Sequence, residues 1–175
     1  MISLENISSH NGDEVLFNNL NNSFETGRVH GIWNETDTAN TRFLQLLTGD
    51  IPLSSGIIRY EGERLDHADV VYYNRAGMPS QDLKNEPLPD QYKNKSVYLF
   101  DNIFNPADMR SSLHFYKIIL PLKNMGRTIL ITSTDYKALS VSTDFFHIFS
   151  QGVFQARLDP LQYYLLDDVF RHLQR

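Results

Sequence analysis

The 175-residue chain contains no cysteine. That excludes disulfides, thiolate catalysis and cysteine-ligated zinc, and it allows a reducing compartment. Basic residues are outnumbered: 16 Lys and Arg stand against 21 Asp and Glu, a formal charge of −5. A nucleic-acid face needs clustered cations, so nucleic acid is not expected as a partner. No apolar run approaches the roughly 20 residues of a membrane helix, so direct insertion is not expected either. The first residues, "MISLENIS", alternate like a strand and lack the basic and apolar regions of a signal peptide. The six histidines show no metal-ligand spacing, and no metal site is expected. Asp66, His67 and Asp69 form the one dense cluster and read as a solvated turn. The chain length suits one domain with a full core. The expectation is a single cytoplasmic domain over 1–175 that meets a membrane, if at all, only peripherally through a partner.

What is present is an alternation of element types. "MISLENIS" and "EVLFNNLNNSFETG" read as strands around the turn "HNGDE", and "RVHGIW" reads as a short buried strand. Thr41 to Leu47 has helical apolar spacing and stops at Gly49. "GIIRYEGERL" and "DVVYYN" read as strands, the first with a turn. Residues 74–95 carry three prolines and little periodicity, and are expected to be loop. "SVYLFDNIF" reads as an apolar strand ending near Asp101, and "DMRSSLHFYKIILPLKNMG" as a helix with Leu113, Tyr116 and Leu120 near one face. Pro121 is expected to kink or end that helix. "RTILITST" reads as a buried strand, and "TDFFHIFSQGVFQARL" as two strands joined at Gln151-Gly152. The terminal stretch has Asp159 as N-cap, Pro160 at N1 and Leu161, Leu165, Val169 and Leu173 at steps of four: an amphipathic helix. Strands alternating with helices predict an α/β fold with a mainly parallel sheet and antiparallel edge strands.

The connector "NETDTANTR", from Asn34 to Arg42, joins a strand to a helix yet has no glycine and no lysine. A phosphate loop in that place needs glycines so that backbone N–H groups can curl round the phosphates, a lysine for the β/γ oxygens, and a hydroxyl for Mg²⁺. One charge pair at about 4 Å is worth about 4 kcal/mol at an effective dielectric near 20. Losing the lysine therefore costs about a thousandfold in affinity, and Glu35 and Asp37 add repulsion. Asp37 or Glu35 could satisfy the helix N-terminal amides that phosphate would otherwise occupy; an ordinary exposed acidic loop is the equal alternative.

The order of these strings resembles the nucleotide-binding domain of ABC-type ATPases, a P-loop NTPase-like fold. "FLQLLTGDIPLSSGIIRYEGERL" is the closest match, with "SVYLFDNIFNPAD" where that family has its Walker B strand and D-loop, and "GRTILITSTDY" where it has the strand ending in a switch histidine. The resemblance covers most of the chain except about residues 73–95. It assigns the phosphate-loop positions to Asn34, Asp37, Ala39, Asn40 and Thr41, of which only Thr41 keeps the family's residue type. Asp101 falls on the magnesium carboxylate, Asn102 on the catalytic glutamate and Thr134 on the switch histidine. An amide cannot take a proton from attacking water as a carboxylate can. Asp108 falls on the D-loop aspartate, and His10 lies near the adenine-stacking position. The signature "LSGGQ" is absent. Residues 73–96 form a shortened loop that replaces the family's helical and signature-bearing subdomain.

The resemblance thus implies a degenerate, truncated ABC-type domain. It would be catalytically inactive, without ATP, Mg²⁺ or another cofactor, and would serve as a structural or regulatory subunit. Its partners would be another ABC-type ATPase, a second copy of itself or a membrane complex. Tyr72, Tyr73, Met78, Pro79 and Tyr92 are the expected partner surface, since ABC domains meet membrane subunits there. The alternative is an atypical nucleotide-binding ATPase or switch, completed by a partner, that uses Thr41 and Asp101. Nothing in the sequence argues specifically for a third class, a small-ligand module.

Overall fold

In a computed structural model the described residues are 1–74, 94–103 and 109–173. The strands are β1 (Ile2–Asn11), β2 (Glu14–Phe24), β3 (Val29–Trp33), β4 (Ser55–Tyr60), β5 (Glu63–Arg64), β6 (Val70–Asn74), β7 (Val97–Asp101), β8 (Thr128–Thr132), β9 (Phe145–Ser150) and β10 (Val153–Leu158). The helices are α1 (Asp37–Thr48), α2 (Met109–Asn124), α3 (Tyr136–Ser140) and α4 (Leu166–Leu173), with short 3-10 turns at His67–Asp69 and Pro160–Leu165.

Two sheets organise the chain. The larger has the order β10-β9-β3-β8-β7-β6. Its five strands from β9 to β6 run parallel, and β10 adds antiparallel to β9. β3, β7 and β8 are buried along their whole length, as parallel strands covered on both faces must be. The fold is the expected α/β class. Of the antiparallel strands only β10 joins the parallel sheet, whereas β1 and β2 form a second sheet with β4 and β5, in the order β2-β1-β4-β5.

The two sheets bury α1 between them. Phe43, Leu44, Leu46 and Leu47 meet Ile2, Leu4, Ile7 and Phe24 on one side, and Ile32, Leu99, Leu130 and Phe149 on the other. Period-two alternation puts Tyr98, Phe100, Ile129, Ile131, Phe146 and Ile148 on the opposite face of the parallel sheet. That face packs against Ile118, Ile119 and Leu122 of α2 and against Leu166 and Phe170 of α4. The β9–β10 turn falls on Gln151 and Gly152, both with positive φ (51° and 73°), the geometry of a tight hairpin. A Cβ on Gly152 would lie 2.2 Å from the Leu16 carbonyl oxygen, so β2 can approach only because that residue is glycine.

Three local details go beyond or against the expectation. Pro121, expected to kink or end the helix, lies inside α2, which runs on to Asn124. Leu120 points to solvent at 55% exposure, while Ile118, Ile119 and Leu122 carry the buried face. The terminal helix is not one α-helix from Asp159. Residues Pro160–Leu165 wind as a 3-10 turn, whose three-residue period shifts the register. Leu161 is consequently exposed, and Leu166 and Phe170 take the core positions.

Candidate functional site

Three parallel strands end side by side around the start of α1. Ligands of open α/β sheets bind at such carboxyl ends. β3 leads through Asn34 to α1, β7 ends at Asp101 and β8 ends at Thr132, so residues from three strand ends converge. Helix α1 begins four residues before Thr41, at Asp37. Its N-cap is Thr36, whose hydroxyl accepts from the Ala39 N–H at 3.1 Å. Neither Asp37 nor Glu35 performs that capping. Asp37 instead accepts from the Thr134 hydroxyl at 3.2 Å, and Glu35 is exposed.

The residues that the resemblance assigns to the first glycine, the lysine and the glutamate are bonded to one another. Asn34 Nδ2 donates to Asn40 Oδ1 at 3.1 Å, and Asn40 Nδ2 donates to Asn102 Oδ1 at 3.0 Å. Asn102 Nδ2 donates to Asp101 Oδ1 at 2.9 Å and to the Asp37 carbonyl at 3.2 Å. Asn34 and Asn40 are almost fully buried, at 2% and 0% exposure. Buried amides need partners, and here each supplies the other's. Asn102 has φ 49°, a left-handed geometry that asparagine tolerates better than most residues. Its N–H donates to Thr132 Oγ1 at 3.0 Å, which fixes the β7 end against β8.

Asp101, 3% exposed, is the centre of a second set. Its Oδ1 also accepts from Thr132 Oγ1 at 2.9 Å. Its Oδ2 accepts from Thr41 Oγ1 and from Tyr72 OH, each at 2.7 Å. Tyr72 was expected on a partner surface. Its ring lies on the α1 face of the sheet and its hydroxyl reaches the site. Burial, followed by the bond to Asp101, raises the Tyr72 pKa well above the ordinary phenol range. Tyr73, expected beside it, stacks on Phe100 with centroids 5.3 Å apart. Both tyrosines are half-buried, with their rings on opposite faces of the sheet. Met78, Pro79 and Tyr92 lie outside the described residues, as does Asp108. Thr134, the switch position, joins the site by its bond to Asp37, and its carbonyl accepts from Trp33 Nε1 at 3.0 Å.

The sequence named Tyr72 for a surface and not for its bond to Asp101, and did not name Thr132, which also bonds that carboxylate; the one signal for Tyr72 was its place two positions from the end of a strand beside the Asp101 strand. His10 is engaged at the protein surface with Ser54, at 2.8 Å. His67 bonds the Leu47 carbonyl at 2.9 Å, and Asp66 caps the 3-10 turn through Ala68 N–H, so their cluster is a turn as expected. Among the described residues there is no group of three metal-ligating side chains and no helix long and apolar enough to cross a membrane.

A magnesium nucleotide fits this donor set on one side. The Thr41 hydroxyl and the Asp101 carboxylate are hard oxygen donors of the kind Mg²⁺ takes. The phosphate side is different: Asn40 stands where a lysine would, and Asn34, Asp37 and Ala39 where glycines would.

No family model matches the chain. An uncharacterised ABC transporter ATP-binding protein of Bacillus subtilis is 25% identical over 97 residues, covering 55% of this chain and 44% of that protein. The match thus spans less than half of that relative. A nucleotide-free ATP-binding cassette from an ABC transporter superposes with a TM-score of 0.79 at 13% identity, covering 100% of this chain and 98% of that one. A bacterial Atm1-family ABC exporter with ATP bound superposes with a TM-score of 0.77 at 13% identity, covering 99% of this chain and 41% of the exporter. The fold is that of ABC transporter ATP-binding domains. This overturns the expectation of a chain without ATP or Mg²⁺ as ligands: the proteins that share its whole fold are ATP-binding cassettes, one of them solved with ATP.

Proposed function

We propose that the chain is an ABC-type ATP-binding subunit that does not itself hydrolyse ATP and that works through protein–protein contact. Nucleotide with Mg²⁺ is the ligand its fold implies, with Thr41 and Asp101 on the metal side. The partner would be another ABC-type ATP-binding subunit, or the membrane component of a transporter, at the cytoplasmic face. One observation carries the silence in hydrolysis. The glutamate position holds Asn102, whose side chain is engaged by Asn40, Asp101 and the Asp37 carbonyl. It has no basic group to offer an attacking water, and the loop from Asn34 to Thr41 contains no lysine or arginine.

A second reading is favoured by the Thr41–Asp101 pair at 2.7 Å: a nucleotide-dependent switch whose base and phosphate cation come from a partner subunit. A phosphate-release assay tests both. The purified chain with MgATP is expected to release no phosphate above the protein-free rate. Turnover that Asp101→Asn abolishes would refute the proposal. Turnover that appears only when a captured ABC-type partner is added, and that is lost with Asp101→Asn in this chain, would establish the second reading.

A further inference from the structure

We propose that Tyr72 governs the access of a divalent cation to Asp101, because its hydroxyl holds the carboxylate oxygen a metal would take. The inference rests on the reading that Asp101 and Thr41 form the metal side of the site.

The geometry is specific to this chain's own residues. Asp101 Oδ1 is committed to Thr132 Oγ1 and Asn102 Nδ2, both at 2.9 Å. Asp101 Oδ2 receives two hydroxyl donors, Thr41 Oγ1 and Tyr72 OH, each at 2.7 Å. Two short donors on one carboxylate oxygen leave no lone pair directed at a cation. The two donors are not equivalent. A threonine hydroxyl can rotate, withdraw its proton from the carboxylate and present a lone pair to a metal, so Thr41 can change from competitor to ligand. Tyr72 is held by its strand: it pairs with Leu99 across β6 and β7, and its ring packs among the apolar residues that cover α1. A cation reaching Oδ2 must therefore break a charge-assisted hydrogen bond, which is about twice as strong as a neutral one.

The test uses the full chain and Mn²⁺ alone, with free Mn²⁺ followed by electron paramagnetic resonance and no nucleotide present. Four proteins are titrated: the natural chain, Tyr72→Phe, Asp101→Asn and the double variant. Tyr72→Phe is expected to bind Mn²⁺ about tenfold more tightly than the natural chain, and the double variant to lose that gain. A Tyr72→Phe affinity equal to or below the natural one overturns the proposal, as does the absence of Mn²⁺ binding by Tyr72→Phe at millimolar metal. If natural binding in that case still depends on Asp101, the metal-side reading survives and only the role of Tyr72 falls. Tighter binding that persists in the double variant overturns both, since the cation then sits elsewhere. A tyrosine serving only the fold would lower the affinity or leave it unchanged when removed, and its loss would be seen in thermal melting.

Discussion

Acid should destabilise this protein through two histidines buried between β2, β3 and β9. His30 and His147 are both fully buried. Their ring nitrogens, His30 Nδ1 and His147 Nε2, lie 3.0 Å apart. The other His30 nitrogen faces the Glu25 carbonyl at 3.0 Å, and His147 Nδ1 faces Asn22 Nδ2 at 3.1 Å. One proton arrangement satisfies every member. The Asn22 amide donates to His147 Nδ1, His147 Nε2–H donates to His30 Nδ1, and His30 Nε2–H donates to the Glu25 carbonyl. A further proton on either ring sets an N–H against an N–H, inside apolar walls of Phe24 and Phe145. Burial pushes the His30 pKa down to about 4 and that of His147 well below its ordinary value. Arg157 opposes the charge on both, while Glu25 and Asp144 favour it on His30.

The sign follows directly. Between pH 6.5 and about 4 the unfolded chain binds a proton at His30 that the folded chain refuses, so stability is full above pH 6.5 and falls as pH falls. Each such proton costs about 1.4 kcal/mol per pH unit, so His30 alone accounts for about 3 kcal/mol across this window. That is a large share of the 5–15 kcal/mol typical of a domain. Urea unfolding followed by the fluorescence of Trp33, the single tryptophan, measures it at half-unit steps from pH 7.5 to 4.5. A slope of at least 1 kcal/mol per unit is expected between pH 6 and 5. His30→Gln, which cannot titrate but can still hydrogen-bond, is expected to reduce the slope by about one proton. Stability flat to within about 0.5 kcal/mol from pH 7 to 5, or a slope unchanged in His30→Gln, would refute the reasoning.

Phe43→Ala removes a fully buried ring packed against Phe17, Phe24 and Phe149; a loss of about 3–5 kcal/mol is expected by urea unfolding. Thr128 is fully buried, and its hydroxyl has no partner among the described residues, so Thr128→Val should stabilise by about 1 kcal/mol, read as a raised Tm. Asn102→Glu places a less tolerant residue at φ 49° and breaks the bonds to Asn40 and Asp37. It should cost about 2 kcal/mol in the same melt and restore no phosphate release. Asn40→Lys puts an ammonium where the ladder now holds an amide, and isothermal titration should record MgATP affinity raised at least tenfold.

The framework was legible because it rests on short-range pattern. The run Phe43, Leu44, Leu46, Leu47 ending at Gly49 named the buried helix, and the unbroken apolar runs of β7 and β8 named strands covered on both faces. The Gln151-Gly152 hairpin was visible in its two residues. Helix α3 was passed over although "STDYKAL" carries its start signal: Asp135 accepts from the N–H groups of Lys137 and Ala138. The 3-10 winding after Pro160 was not legible, because the apolar steps of four from Leu161 fit an α-helix equally well and only packing selects Leu166 and Phe170. The site was half legible. Its positions could be counted off, but the hydrogen bond between Asn40 and Asn102 spans 62 residues of sequence, and no local pattern encodes it. The histidine pair and Tyr72 are contacts of the same long-range kind.

Taken one position at a time, asparagine at the lysine and glutamate positions reads as decay. The geometry argues against independent decay. An asparagine buried alone at position 40 would strand both an N–H and a carbonyl, at about 1–3 kcal/mol for each unsatisfied group. Here Asn34 supplies the donor and Asn102 the acceptor. The three substitutions thus form one self-satisfying unit that locks α1 to the ends of β3 and β7. A unit of this kind resists reversal by single steps, because lysine at position 40 or glutamate at position 102 leaves the remaining amides unpaired and so costs stability. The same coupling holds the start of α1 and the ends of β3 and β7 together through the chain's own side chains. On the proposed function, a partner that reads the positions of α1 and of the β7 and β8 ends would find them ordered by Asn34, Asn40 and Asn102.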